Sequence, residues 1–342
     1  MGRVILVTGV SGYLGGSLAR DLATDPDVDQ VIGVDLVPPR QDLGPVRFVP
    51  ADIRNPVIAK VIVGEDVDTV VHADVLPASG RGGSASSAKE TNVIGTMQLL
   101  AACQKAPGLR KLVLRSSTEV YGASPRDPAM FTEDMSPKEV PRAGFARDAL
   151  EVEGYVRGFA RRRPDVVVTV LRQATLIGPT VDTAITRYFA YPAVPTVLGF
   201  DARLQFCHEQ DVLGSLRVAV ADDVPGSFNI AGRGILMLSQ AIRRLGRPPV
   251  PLPSFAIAGV GSLLRSARLV DFPSDLTALL TYGRGVDTTR MREVLGFHPA
   301  FSTEEAFADF ARTVLPGALS RERVARAENR LRGLHPEEIG HG

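Results

Sequence analysis

The sequence predicts an α/β fold, a doubly wound parallel sheet with a smaller, mostly helical C-terminal lobe. Three observations carry this. Short runs rich in Val and Ile alternate with longer helical patterns through the first half of the chain. Those runs lack the apolar/polar alternation of a half-exposed sheet, so each strand is buried on both faces, as in a parallel sheet covered by helices. After Arg172 the rhythm breaks into shorter elements separated by Gly178-Pro179, Tyr191-Pro192, Gly226 and the proline-rich stretch 247–253, which marks a second unit.

The expected strands are 4–8, 30–35, 46–49, 69–72, 111–116 and 166–172, and the expected helices are 15–22, 56–63, 89–104 and 144–162. Repeated strand-helix order gives parallel neighbours by crossover connections. Residues 1–173 form the first domain, completed by about 205–235, while 174–204 and 236–316 form the lobe and 317–342 a charged tail. The apolar stretch 255–264 contains Ala258, Gly259 and Gly261. It is too short to span a bilayer and reads as a buried lobe helix or an interfacial anchor. Segment 320–331 sets Val324, Ala327 and Leu331 at helical spacing among arginines, as in a surface helix packed by one face or one that meets a partner.

Composition narrows the function. A chain of 342 residues can bury a large core. Cys103 and Cys207 are its only cysteines, so it is not a disulfide scaffold. Lys and Arg number 39 against 38 acidic residues, a net charge of +1, which provides no global field for nucleic acid or an anionic membrane. The chain starts on Ile5-Leu6-Val7 without a secretory pattern, so a cytoplasmic location is expected.

The first strand runs directly into Gly9-Val10-Ser11-Gly12-Tyr13-Leu14-Gly15. The first glycine permits the tight turn, the second lets a pyrophosphate approach the backbone and the third lets the helix pack on the strand. Gly9, Ser11, Gly12, Tyr13, Leu14 and Gly15 therefore line an expected phosphate site at a helix N-terminus, the mark of a Rossmann unit. Asp35 ends the second strand, where a carboxylate accepts from both hydroxyls of an adenosine ribose and repels the extra phosphate of NADP. Leu36 follows in place of an arginine. NAD is the expected cofactor, with Arg40 as the nearby cation that would argue for NADP. Asp52 and Ile53 suit an adenine pocket, and Asp52 alone also suits a loop cap.

With these features the sequence resembles the extended short-chain dehydrogenase/reductase group, in particular the NAD-dependent epimerase/dehydratase family acting on nucleotide sugars. The resemblance extends through Val71-His72-Ala73, Asn92 to Thr96, Ser116-Ser117-Thr118-Glu119-Val120-Tyr121-Gly122, Leu171-Arg172, Gly178-Pro179, His208, Asp211-Val212, Phe228-Asn229-Ile230 and 287–299. It implies that His72, Ala73, Asn92 and Ser116 lie near the cofactor or its supporting turns. Ser117, or its neighbour Thr118, would hold the reacting oxygen of the substrate. Glu119 also serves structurally in many relatives. The family pattern further implies a nucleotide-sugar substrate and a homodimer formed by helices 92–104 and 144–162. Cys207, His208 and Asp211 read as packing and hydrogen-bonding residues, with substrate contact as the alternative, and no cluster has metal-site spacing.

Two departures bear on chemistry. The family's tyrosine and lysine, four residues apart on one helix face, correspond here to Phe145 and Ala149. Phenylalanine carries no proton and alanine no charge. Arg147 and Asp148 are neighbouring charges that read as a solvated pair, or as a substitute charge and base, and a shifted helix or a lobe tyrosine such as Tyr188 or Tyr191 reaching back would be needed to restore ordinary chemistry. After the sixth strand, Gln173, Ala174 and Thr175 replace an aromatic pair and an asparagine. Two functions follow: an NAD-dependent epimerase/dehydratase-type oxidoreductase with atypical acid/base chemistry, acting on a nucleotide sugar or related alcohol, or a catalytically inactive NAD-binding regulatory or interaction protein.

Overall fold

The computed structural model describes residues 2–75, 88–253 and 274–314; the stretches 255–264 and 320–331 lie outside the described residues. In chain order the strands are β1 (Arg3–Thr8), β2 (Val28–Asp35), β3 (Arg47–Pro50), β4 (Thr69–His72), β5 (Lys111–Ser117), β6 (Val167–Gln173), β7 (Thr175–Ile177), β8 (Val194–Val197), β9 (Arg203–Leu204), β10 (Phe206–His208), β11 (Gly226–Ile230), β12 (Leu236–Met237) and β13 (Pro249–Leu252). The main sheet has the order β3-β2-β1-β4-β5-β6-β11, and all its neighbours are parallel. The order reverses between β1 and β4, which creates the crevice where ligands of such sheets lie. Each of the six expected strands forms, with its ends moved by no more than two residues.

The helices of the first domain are α1 (Tyr13–Leu22), α2 (Val57–Gly64), α3 (Thr96–Gln104) and α4 (Gly144–Arg162), and α6 (Glu209–Ala221) follows the short α5 (Ala184–Phe189). Because strand side chains alternate, Val7, Val71, Val113 and Leu171 pack on α1 and α6. Leu6, Val70, Leu112 and Val170 pack on α2, α3 and α4. The expected helix 89–104 opens instead as a π-helical turn, Glu90–Gly95, and a Cβ on Gly95 would stand 2.7 Å from Ile53. The wider turn and the missing side chain let the two segments meet.

The lobe core takes α5 together with α7 (Leu238–Arg244), α8 (Ser274–Tyr282) and α10 (Thr303–Thr313), whereas Met291 of α9 (Thr289–Glu293) packs into the core of the main sheet. Three two-stranded ribbons accompany the lobe's helices, β7 with β10, β8 with β13 and β9 with β12. Its core is separate, built on Phe189, Phe206, Leu238, Leu279, Phe307 and Phe310. Among the described residues no helix is long and apolar enough to cross a membrane.

Candidate cofactor and active site

The glycine loop is fixed by close packing. Gly9 has φ +78°, and a Cβ on Gly15 would lie 2.3 Å from the Gly9 carbonyl oxygen. Only a bare Cα lets α1 start this near β1, which leaves an open cradle of backbone at the helix N-terminus, the shape and polarity that a pyrophosphate requires. Gly12 caps α1 without a side-chain hydrogen bond, and Ser11, Gly12 and Tyr13 are open to solvent while Leu14 is buried in the core.

Asp35 stands beside this loop. Its Oδ2 accepts from Ser11 N at 3.0 Å and its Oδ1 from Leu36 N at 2.7 Å, so the carboxylate ties the end of β2 to the phosphate loop. Leu36 is exposed, as is Arg40. Asp52 takes a forked contact from Arg54, with Nε to Oδ1 at 3.0 Å and Nη2 to Oδ2 at 2.7 Å, and also accepts from Arg54 N at 2.9 Å. The Arg54 side chain holds the Asp52 carboxyl below the usual range. Asp52 thus caps its own loop while Ile53 is buried behind it.

His72 is a buried connector, with Nδ1 at 2.9 Å from Thr8 Oγ1 and Nε2 at 2.9 Å from Thr96 Oγ1. Ala73 N donates to the same Thr8 hydroxyl at 3.2 Å. These bonds join β1, β4 and α3 under the crevice. Buried Asn92 bonds Asp148 across to α4. Burial raises the Asp148 carboxyl, opposed by the Asn92 bond. Asp148 is therefore not half of a solvated pair: it turns inward, and Arg147 pairs with Glu151 at 2.7 Å.

At the end of β5 the side chains divide by face. Ser116 donates to Glu153 Oε1 at 2.6 Å on the α4 side, where Arg172 also holds Glu153. Ser117 Oγ accepts from Glu119 N at 3.1 Å and caps the 3-10 turn Thr118–Tyr121, which leaves its O–H proton to donate elsewhere. Thr118 is buried, whereas Ser117 and Glu119 are partly open. Phe145 packs between both cores of the domain, and Ala149 is fully buried.

Tyr121, Tyr188 and Tyr191 are engaged elsewhere. Tyr121 OH donates to Asn229 Oδ1 and Tyr188 OH donates to Pro195 O, both inside packed cores. Tyr191 packs against the lobe core.

Among the described residues, Glu119 is a titratable group linked to this region through the charges of Asp275 and Arg284. Two lobe residues bracket it: Asp275 accepts from Ala146 N at 3.3 Å, and Arg284 Nε donates to Gly122 O at 2.7 Å. Burial pushes the Glu119 carboxyl up to about 7, with the Arg284 charge pulling it down and Asp275 pushing it further up. Among the described residues no group of three His, Cys, Asp or Glu is placed to hold a metal ion.

The family model of the NAD-dependent epimerase/dehydratases matches residues 5–231. The chain belongs to this family. An uncharacterized protein of Mycobacterium tuberculosis, Rv0501, is 51% identical over 337 residues, which is 97% of this chain and 90% of that protein. Among solved structures the fold is similar to UDP-glucuronic acid 4-epimerase from Bacillus cereus in complex with UDP-glucuronic acid and NAD, with a TM-score of 0.70 at 19% identity, covering 91% of this chain and 98% of that one. It is also similar to DesIV, a dTDP-glucose 4,6-dehydratase from Streptomyces venezuelae with NAD bound, with a TM-score of 0.70 at 24% identity, covering 91% and 96%. NAD is the cofactor of the family, and the bare Gly9–Gly15 cradle with Asp35 at its side fits it.

His208 and Asp211 serve packing and hydrogen bonding. His208 stacks on Phe301 with 3.8 Å between ring centroids, and Asp211 accepts from Ala300 N and Phe301 N. Sequence reasoning gave no weight to Arg115, Asp275 or Arg284. An arginine near the end of an otherwise apolar buried strand, Leu112-Val113-Leu114-Arg115, was the available signal for the first; nothing local distinguishes the other two.

Proposed function

We propose that the chain is an NAD-dependent oxidoreductase of the epimerase/dehydratase type, acting on a nucleotide sugar or related alcohol, in which Glu119 handles the proton that a tyrosine at position 145 would otherwise carry. The observation that supports it most is the position of Glu119: partly open, two residues beyond Ser117, and flanked by Asp275 and Arg284 from the lobe. A carboxyl poised near neutrality is equally able to take a proton and return it. Ser117 donates to the substrate oxygen, Glu119 takes the proton from that oxygen, and Phe145 with buried Ala149 walls the site without titrating. Bound NAD would supply the hydride acceptor.

The neighbours' substrates, UDP-glucuronic acid and UDP-glucose, suggest the first compounds to assay. Purified protein reconstituted with NAD is mixed with UDP-glucose, UDP-glucuronic acid and dTDP-glucose, and absorbance of the bound nicotinamide near 340 nm is followed in single turnover. A rise with at least one sugar, reduced about 100-fold or more in Glu119→Gln, is the expected result. Silence with every sugar favours the non-catalytic NAD-binding reading that Phe145 and Ala149 motivate. We further propose a homodimer through the α3 and α4 face, where Ile94, Met97 and Tyr155 are exposed, and a cytoplasmic location, in keeping with two free, buried cysteines. Sedimentation of Met97→Glu beside the parent chain tests the dimer.

A further inference from the structure

A second polar cluster rises on the opposite face of β5 from Glu153. Arg115 Nε donates to Gln173 Oε1 at 2.8 Å and its Nη1 donates to Ala73 O at 3.4 Å. The guanidinium thereby ties together the C-terminal edges of β4, β5 and β6. Burial lowers its pKa to about 10, opposed by the charge of Asp74, so it remains a cation at neutral pH. It is partly open rather than sealed in the core. Gln173 is only 3% exposed, and its Nε2 has no hydrogen-bond partner. A buried amide donor without an acceptor is destabilising, and a bound acceptor would relieve it. The orientation of this amide is set, because Arg115 as a pure donor demands the oxygen of Gln173.

The location of the cluster relative to the glycine loop is equally defined. Asp74, whose charge acts on Arg115, lies against the loop: a Cβ on Gly9 would stand 2.9 Å from Asp74 Cβ. Arg115 and Gln173 follow Val113 and Leu171 on the α1 face. Asp35 lies on one side of β1 in the sheet order, with Arg115 and Gln173 on the other. A dinucleotide with its pyrophosphate at Gly9–Gly15 and its adenosine ribose at Asp35 sends its other half towards β5, two strands or about 10 Å from β1 at the spacing of neighbouring strands.

We propose that Arg115 and Gln173 form the nicotinamide end of the cofactor site, with Arg115 fixing the Gln173 amide so that its Nε2 donates to the carboxamide oxygen. This supplies from β6 a donor, oriented from β5, where Ala149 on α4 supplies none. The proposal rests on the NAD-dependent reading above, and both are positioning roles, with no bond made or broken by either residue.

The test compares affinities for NAD and for ADP-ribose, which lacks the nicotinamide, by calorimetry on the full chain. In Gln173→Met, NAD should weaken about tenfold while ADP-ribose changes less than twofold. Arg115→Lys keeps the charge, loses the Nε bond to Gln173 and should shift the same ratio in the same direction by a smaller factor. If both ligands weaken equally, or neither does, the proposal is overturned. Parent protein that binds neither NAD nor ADP-ribose would instead overturn the NAD reading itself. Thermal melting of each variant identifies loss of folding, and if Gln173→Met does not fold the Arg115→Lys ratio decides.

Discussion

Glu153 of α4 and Arg172 of β6 form a forked ion pair in the centre of the domain, with Nη2 to Oε2 at 2.8 Å and Nε to Oε1 at 3.0 Å. The two side chains are 2% and 8% exposed. Ser116 Oγ, the Tyr121 hydroxyl and Glu133 O complete their hydrogen bonds, so the pair anchors the ends of β5 and β6 to the helix that begins beside Phe145.

Removing one partner strands the other as a buried charge. Glu153→Ala is expected to lower stability by about 3–5 kcal/mol, measured by urea unfolding. A double variant, Glu153→Leu with Arg172→Met, should recover a large part of that loss, because both desolvation costs vanish together.

Gly15 has no room for a side chain. Gly15→Ala would press a methyl onto the Gly9 carbonyl, 2.3 Å away, and must displace either β1 or α1. NAD binding should weaken by at least about 100-fold, as read by calorimetry, since the phosphate cradle is what moves.

Cofactor choice is expected to depend on Asp35. In Asp35→Asn the repulsion of a 2′-phosphate is gone while an amide oxygen can still accept from Ser11 N, so NADP affinity should rise about tenfold relative to NAD. An unchanged ratio would locate the discrimination elsewhere, with Arg40 the next residue to replace.

The Glu119 carboxyl couples stability to pH. Its pKa rises from about 4.3 in an unfolded chain to about 7 in the fold, so between these values the folded state binds more protons than the unfolded one. Stability from this group is complete below about pH 4 and is lost as pH rises to about 7. Glu119→Gln removes the slope. The variant should gain about 2 kcal/mol relative to the parent between pH 5 and pH 8 in urea titrations, a figure reduced to allow for partial exposure.

Much of this was legible in the residues. The strands followed from runs of Val and Ile, and α4 spans 144–162 as its pattern indicates. Asp35 and the glycines were found because each acts within a few residues of a strand end. Asp148 was misread as solvated: helical spacing says which way a residue points but not that Asn92 waits across the gap on a π-turn. Tyr188 and Tyr191 were open candidates until the lobe core enclosed the first and packed the second.

The parallel sheet, the glycine loop, NAD as the cofactor and a phenylalanine at position 145 were all readable from the residues alone, since periodicity, turn chemistry and residue identity are local properties. Which distant groups become neighbours was settled by tertiary packing. Glu119 feels the charges of Asp275 and Arg284, and Arg115 bonds Gln173, because lobe docking and the strand order β4-β5-β6 bring together residues far apart in the chain. Their charges then act at short range through a medium far less screening than water, and no spacing along the sequence encodes that proximity.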